Sequence, residues 1–315
     1  MSDPDTESYS TSPAWSDVTP LPTNPGGPNP LAAIAYAPAY EEAMSYLRAL
    51  MAANEHSTRA LELTEDVIEQ NPAHYTVWLY RASVLFGIGA DLCAELEWVS
   101  DVARAHQKNY QIWNHRMMIV EKLGSPEGER EFVEEMFALD GKNYHVWSYR
   151  QWLVRRFGLW GERERGFVEG MVERDVRNNS AWNYRWFLVN GRESEGVPGV
   201  KDEGVKREEV EYAASAVAKA PQNPSPWNYL RGVVRASGGG LGGLKGLASE
   251  YADLTRPGGV RSSHALDLLA DILADEDKNK AGEALDALAS TYDPIRKNYW
   301  EYRKGLLGLP AASVA

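Results

Sequence analysis

The sequence predicts an all-α fold, an α-α superhelix made as a solenoid of stacked helical hairpins, and three observations predict it. A Trp is followed three or four residues later by an Arg at Trp78/Arg81, Trp113/Arg116, Trp147/Arg150, Trp182/Arg185, Trp227/Arg231 and Trp300/Arg303. The Trp residues stand 35, 34 and 35 residues apart, then 45 and 73 where insertions lengthen the chain. A period of about 34 residues is one helix-turn-helix unit, which cannot bury its apolar face alone and so stacks on its neighbours. Finally, most Trp segments follow an acidic amphipathic stretch and end at a Gly: Gly87 or Gly89, Gly124, Gly158, Gly191 and Gly238. Glycine there supplies the left-handed backbone that closes a helix.

Taken in order, residues 1–30 are rich in Pro, Ser, Thr and Gly, so most of this tail is expected to be disordered, with Trp15 the exception. From Leu31 the pattern turns helical, and a capping helix places Tyr40, Met44, Leu47 and Met51 on one stripe. Ser57 is the expected cap of the next helix, whose buried face is Leu61, Thr64, Val67 and Ile68, and Asn71-Pro72 stops it. Its partner begins near Tyr75. In each hairpin Trp and Arg share a helix face, so the indole fills the core while the guanidinium pairs with a carboxylate of a neighbouring helix. The stretches 192–204 and 237–246 read as flexible surface loops. Two further helices are expected within 264–290, and 297–308 closes the array. Asn298 stands two residues before its Trp where other units have four, so that turn must differ. Residues 31–315 are thus expected to form one helical-repeat domain.

A formal charge of −12 argues against a general nucleic-acid binder, since such affinity comes from clustered Lys and Arg. The single Cys93 cannot close an internal disulfide, and no four-ligand Cys/His spacing exists, so a reducing, cytoplasmic setting without structural zinc is expected. Cys93 itself is expected to be a small buried apolar residue. The N-terminus has no signal-like apolar core, and no stretch approaches the roughly 20 apolar residues of a membrane span.

Any chemistry lies in the turns before the Trp residues. Two carry Lys108-Asn109-Tyr110-Gln111-Ile112-Trp113 and Lys142-Asn143-Tyr144-His145-Val146-Trp147, and the next carries Arg177-Asn178-Asn179-Ser180-Ala181-Trp182. Stacking sets such turns side by side as a basic, hydrogen-bonding rim on an acidic protein. The same residues admit a structural reading, in which Asn caps the incoming helix, Tyr packs on the next turn and each Lys is solvated.

The recurring Asn-x-x-x-Trp-x-x-Arg unit, with the segments GPNPLAAIAY, KNYQIWNHR, LWGERE, DVRNNSAWNYR and IRKNYWEYR, resembles the α-subunit repeats of protein prenyltransferases. Within that family it resembles the α subunits shared by farnesyltransferase and geranylgeranyltransferase type I. The resemblance implies a crescent wrapped around a β subunit that holds the catalytic zinc, with no cofactor bound by this chain and magnesium accompanying the diphosphate. It implies transfer of farnesyl or geranylgeranyl from its diphosphate to the cysteine of a CaaX-terminated protein. By the same resemblance Lys108 stabilises charge on the leaving diphosphate. Tyr110 and Tyr144 line the diphosphate end of the pocket, with Asn143 and His145 facing the substrates. Gln111 reaches the CaaX carboxylate, and Tyr75 lies beside the peptide. Lys142, Arg177 and the run Glu162–Glu164 receive no task and are expected on the solvated surface. Two other readings stay open: the α subunit of a Rab geranylgeranyltransferase, and a noncatalytic tetratricopeptide-like peptide-binding scaffold.

Overall fold

A computed structural model of the protein describes residues 8–23, 27, 29–32, 34–193 and 196–310, which contain fifteen α-helices and no strand. The chain divides into two compact units, Met1–Phe157 and Gly158–Ala315. The first holds α1 (Pro38–Ala52), α2 (Thr58–Gln70), α3 (Tyr75–Ile88), α4 (Leu92–Ala105), α5 (Tyr110–Leu123), α6 (Glu129–Leu139) and α7 (Tyr144–Phe157). Helix α1 packs on α2; α2/α3, α4/α5 and α6/α7 are hairpins; and the Trp-bearing α3, α5 and α7 lie side by side. The second unit holds α8 (Glu162–Arg174), α9 (Asn179–Asn190), α10 (Glu203–Lys219), α11 (Pro224–Ala236), α12 (Lys245–Tyr251), α13 (Ser263–Glu276), α14 (Lys278–Ala287) and α15 (Lys297–Leu306). There α8/α9 and α10/α11 are hairpins, and α11 leads through α13 and α14 to α15.

All six repeat Trp side chains are buried, and sequestering a large apolar side chain contributes about 1.5–3 kcal/mol. The Arg expectation holds. Arg81 forms a two-pronged pair with Glu95 at 2.8 and 2.7 Å, Arg116 with Glu129 at 2.8 and 2.6 Å, and Arg185 with Glu209 at 2.6 and 2.8 Å. Each of these guanidiniums also lies over an aromatic ring, Trp98, Phe132 or Tyr212, so its flat face is covered as well as its edge. Arg231 and Arg303 share Asp267 and Asp271 instead. A tyrosine one helix over completes two of these carboxylates: Tyr149 donates to Glu129 at 2.5 Å and Tyr229 to Glu209 at 2.7 Å.

Several expectations shift. Helix α1 starts at Pro38 and not near Leu31, because proline lacks only an N–H that the first turn leaves unused. In α2 the buried face is Leu63, Thr64, Val67 and Ile68, with Leu61 half-buried. Gly89 and Gly124 close α3 and α5 in the left-handed conformation. Gly191 does not, with φ −68°; a Cβ there would meet Phe187 and Trp160, so close packing requires the glycine. Cys93 is exposed, in the first turn of α4, where its N–H meets the capping Asp91. Glu164 is buried and accepts from Tyr184 at 2.6 Å, so it belongs to the core network and not the surface. The stretch 237–246 contains a tight turn, Leu241–Leu244, whose Leu244 is buried and which runs straight into α12. Before α15, the Trp300 indole donates to both the carbonyl and the carboxylate of Asp293, at 3.3 and 2.9 Å, seven residues back where the other units use a carbonyl six back.

Part of the tail makes specific contacts. Trp15 is buried edge-on against Tyr9 and Tyr46, with ring centres 5.0 and 5.5 Å away. Tyr9 donates to Asp66 at 2.7 Å, and Arg59 clasps Asp17 at 2.8 and 2.9 Å. Where composition alone suggested disorder, two aromatic rings supply apolar area that offsets the ordering entropy. Residues 1–7, 24–26 and 28 of the tail, and 194–195 of the first insertion, lie outside the described residues.

Candidate functional site

Three successive turns of the first unit precede α3, α5 and α7 and are welded together by one repeated device. Asn109 caps α5, its Oδ1 accepting the N–H of Gln111 at 2.9 Å, while its Nδ2 donates to the carbonyl of Pro72 on the preceding turn at 2.5 Å. Asn143 does the same for α7, accepting from His145 N at 2.9 Å and donating to the Gln107 carbonyl at 2.9 Å. Those carbonyls also accept the indole N–H groups of Trp78 and Trp113, at 2.8 and 3.4 Å. Each therefore fills both lone pairs, and the turns are held in fixed register.

That register turns the neighbouring side chains outward. Tyr75, Tyr110 and Tyr144 are 62%, 60% and 77% exposed, and the Lys108 side chain is 82% exposed. A row of large exposed aromatics marks a surface that meets a ligand or a partner. Lys108, Tyr110 and Gln111 line one groove, with Ala73 of the preceding turn opposite. Tyr110, Tyr144 and His145 line a second, floored by Trp113 and Met117. Tyr110 belongs to both, and its ring lies nearly parallel to that of His145, centres 6.3 Å apart and planes 19° apart. Tyr144 stands edge-on to the same imidazole at 5.7 Å.

Five of the seven expected residues, Lys108, Tyr110, Gln111, Tyr144 and His145, thus come together on two adjacent turns. Tyr75 lies on the preceding turn beside His74, ring centres 6.4 Å apart, and lines neither groove. Asn143 is 3% exposed, and its amide is spent on the cap and on Gln107. It is a turn-to-turn weld and not a surface contact in this arrangement.

One helical turn along α5 from Gln111, His115 is buried against Trp78 and bonded to Glu95 at 2.7 Å. It occupies the place of the tyrosines Tyr149 and Tyr229 in later hairpins. Burial pushes the His115 pKa down more than its bond to Glu95 raises it, so the ring is neutral there. Burial alone would raise the Glu95 pKa, but donation from His115 and Arg81 outweighs it and holds the carboxylate below its usual range. Sequence reasoning missed this group; the break in the row Tyr80, His115, Tyr149, Tyr184 is the signal that marks it. It also missed Asp140, whose Oδ2 lies 3.9 Å from Lys108 Nζ. Among the described residues no three His, Cys, Asp or Glu side chains converge as a metal ion would need, and no helix is long and apolar enough to cross a membrane.

The protein prenyltransferase alpha subunit repeat matches residues 57–87, 92–123, 126–157, 162–191 and 207–237, which correspond to the hairpins α2/α3 through α10/α11. The protein farnesyltransferase/geranylgeranyltransferase type-1 subunit alpha of Candida albicans is 38% identical over 298 residues, covering 92% of this chain and 95% of the relative. Its counterpart in Dictyostelium discoideum is 35% identical over 312 residues, covering 94% and 92%. In three dimensions the chain is similar to Candida albicans protein geranylgeranyltransferase-I complexed with GGPP, with a TM-score of 0.86, 36% identity, and coverage of 97% of this chain and all of that one.

Proposed function

Because the chain belongs to the family of protein prenyltransferase α subunits, we propose that it is the α subunit shared by a farnesyltransferase and a geranylgeranyltransferase type I, acting on CaaX-terminated proteins in the cytoplasm. The observation that carries this reading is end-to-end similarity to subunits of that name, together with a relative of the same fold that was solved with GGPP. The chain works as half of a heterodimer. The exposed tyrosine row and the grooves beside it are the surface from which it meets a β subunit and the isoprenoid diphosphate.

On this reading Lys108 places an ammonium at the leaving diphosphate, where charge accumulates as the C1–O bond breaks and the cysteine sulfur bonds to C1. A donor set in place beforehand stabilises that charge without reorganising. Tyr110 and Tyr144 flank the same anion with hydroxyl donors on rigid rings, and His145, held between them, adds a ring N–H. Gln111, anchored at the start of α5, offers a neutral amide to the CaaX carboxylate. By the family resemblance, the zinc that would keep the sulfur deprotonated belongs to the β subunit, and magnesium would accompany the diphosphate.

The test is reconstitution. Co-expression with a farnesyltransferase β subunit, and separately with a geranylgeranyltransferase type I β subunit, should give stable heterodimers that transfer the matching isoprenoid to a CaaX peptide. Failure to assemble with either, or assembly only with a Rab-type β subunit, would overturn the reading. The scaffold alternative has no support in relatives that match over nine-tenths of the chain.

A further inference from the structure

We propose that Asp140 is a positioning residue for Lys108: its carboxylate competes with the diphosphate for the ammonium and so loosens the hold on both substrate and released product. This rests on the reading of Lys108 given above. Asp140 follows α6 as its C-cap, and its Oδ1 accepts the backbone N–H of Lys142 at 3.0 Å. That bond fixes the carboxylate within the turn and leaves Oδ2 facing Lys108 Nζ on the preceding turn, 3.9 Å away. Asp140 is the less exposed of the two, 29% against 82% for the Lys108 side chain. The anion is thus fixed by the backbone while the cation moves on a flexible four-carbon stem.

A fixed anion beside a mobile cation keeps the ammonium close to its working place and discounts its charge until something more negative arrives. Without that discount Lys108 would grip the diphosphate as firmly in the ground state and in the product as in the transition state. Uniform binding of that kind lowers KM without raising kcat, and it delays departure of the product anion. As charge builds on the leaving oxygens, Lys108 exchanges Asp140 for the diphosphate.

Asp140→Asn isolates the charge, because the amide oxygen still accepts from Lys142. In the heterodimer, KM for the isoprenoid diphosphate, kcat, and the inhibition constant of inorganic diphosphate are measured for the wild type, Asp140→Asn, Lys108→Ala and the double variant. The expected result is a KM and an inhibition constant about two- to five-fold lower in Asp140→Asn, the scale of an exposed ion pair. Asp140→Glu should return the wild-type values, and Asp140→Asn should have no effect once Lys108 is removed. Unchanged constants in Asp140→Asn, with turnover lost in Lys108→Ala, would overturn the proposal and leave the role of Lys108 standing. An Asp140→Asn effect that persists without Lys108 would also overturn it, since the carboxylate would then repel the diphosphate directly. A Lys108→Ala enzyme equal to wild type would remove the reading on which the proposal rests.

Discussion

The side-chain amide of Asn143 donates to the carbonyl oxygen of Gln107, 36 residues earlier, at 2.9 Å, and so joins one turn to the next. Replacing it with alanine leaves that oxygen short of a donor and removes the cap oxygen that serves His145 N. The Gln107 carbonyl keeps the Trp113 indole, so the loss is two hydrogen bonds at about 0.5–1.5 kcal/mol each, about 1–3 kcal/mol together. Asn143→Ala should therefore lower stability in urea unfolding by that amount, with the peptide and diphosphate KM of the folded enzyme little changed. A selective rise in KM at unaltered stability would return Asn143 to the substrate contacts.

Lys108→Ala removes the cation that faces the leaving group. Loss of one preorganised donor typically lowers turnover about 10²- to 10³-fold. Steady-state kinetics of the heterodimer should show this fall in kcat without loss of subunit association, because the 82% exposed side chain bears little of the core.

Gln111→Ala should act on the other substrate. A hydrogen bond to a charged group contributes about 1.5–3 kcal/mol, so KM for a CaaX peptide should rise roughly 10- to 100-fold while KM for the isoprenoid diphosphate stays constant. Parallel changes in both constants would point to a shifted helix α5 and not to a lost contact.

His115 makes stability depend on pH. Its folded pKa lies below the ordinary value of 6.5 because burial against Trp78 outweighs the opposing pull of Glu95, and the Arg81 charge lowers it further. Below about pH 6.5 the unfolded chain therefore binds a proton that the folded chain resists. Stability is complete above that pH and falls as pH drops toward the folded pKa, with a limiting slope of about 1.4 kcal/mol per pH unit. Unfolding followed from pH 7.5 to 5.5 should show that slope, and His115→Gln, which keeps a donor for Glu95, should flatten it.

Arg116→Ala strands Glu129 in the core with Tyr149 as its remaining donor among these partners. Breaking a buried pair by removing one partner costs about 3–5 kcal/mol. Converting the pair together, Arg116→Met with Glu129→Leu, should recover much of that loss in thermal unfolding, because no buried charge is left alone.

The amino-acid sequence by itself determined the repeat, the helical hairpins and the burial of each repeat Trp, and it offered the asparagine caps as one of two readings of the turns. These follow from periods within one helix and from residues at its ends, where the controlling distances are three to six positions. Only the tertiary structure decided that Asn143 spends its amide on Gln107, that Glu164 is buried under Tyr184, that His115 replaces a tyrosine against Glu95, and that Asp140 faces Lys108. Each of those partners lies 20 to 36 residues away or on another turn. Which side chains meet across such a gap depends on how one hairpin slides and rotates against the next. That register is set by the packing of whole helix faces, and helical periodicity within a single segment does not contain it.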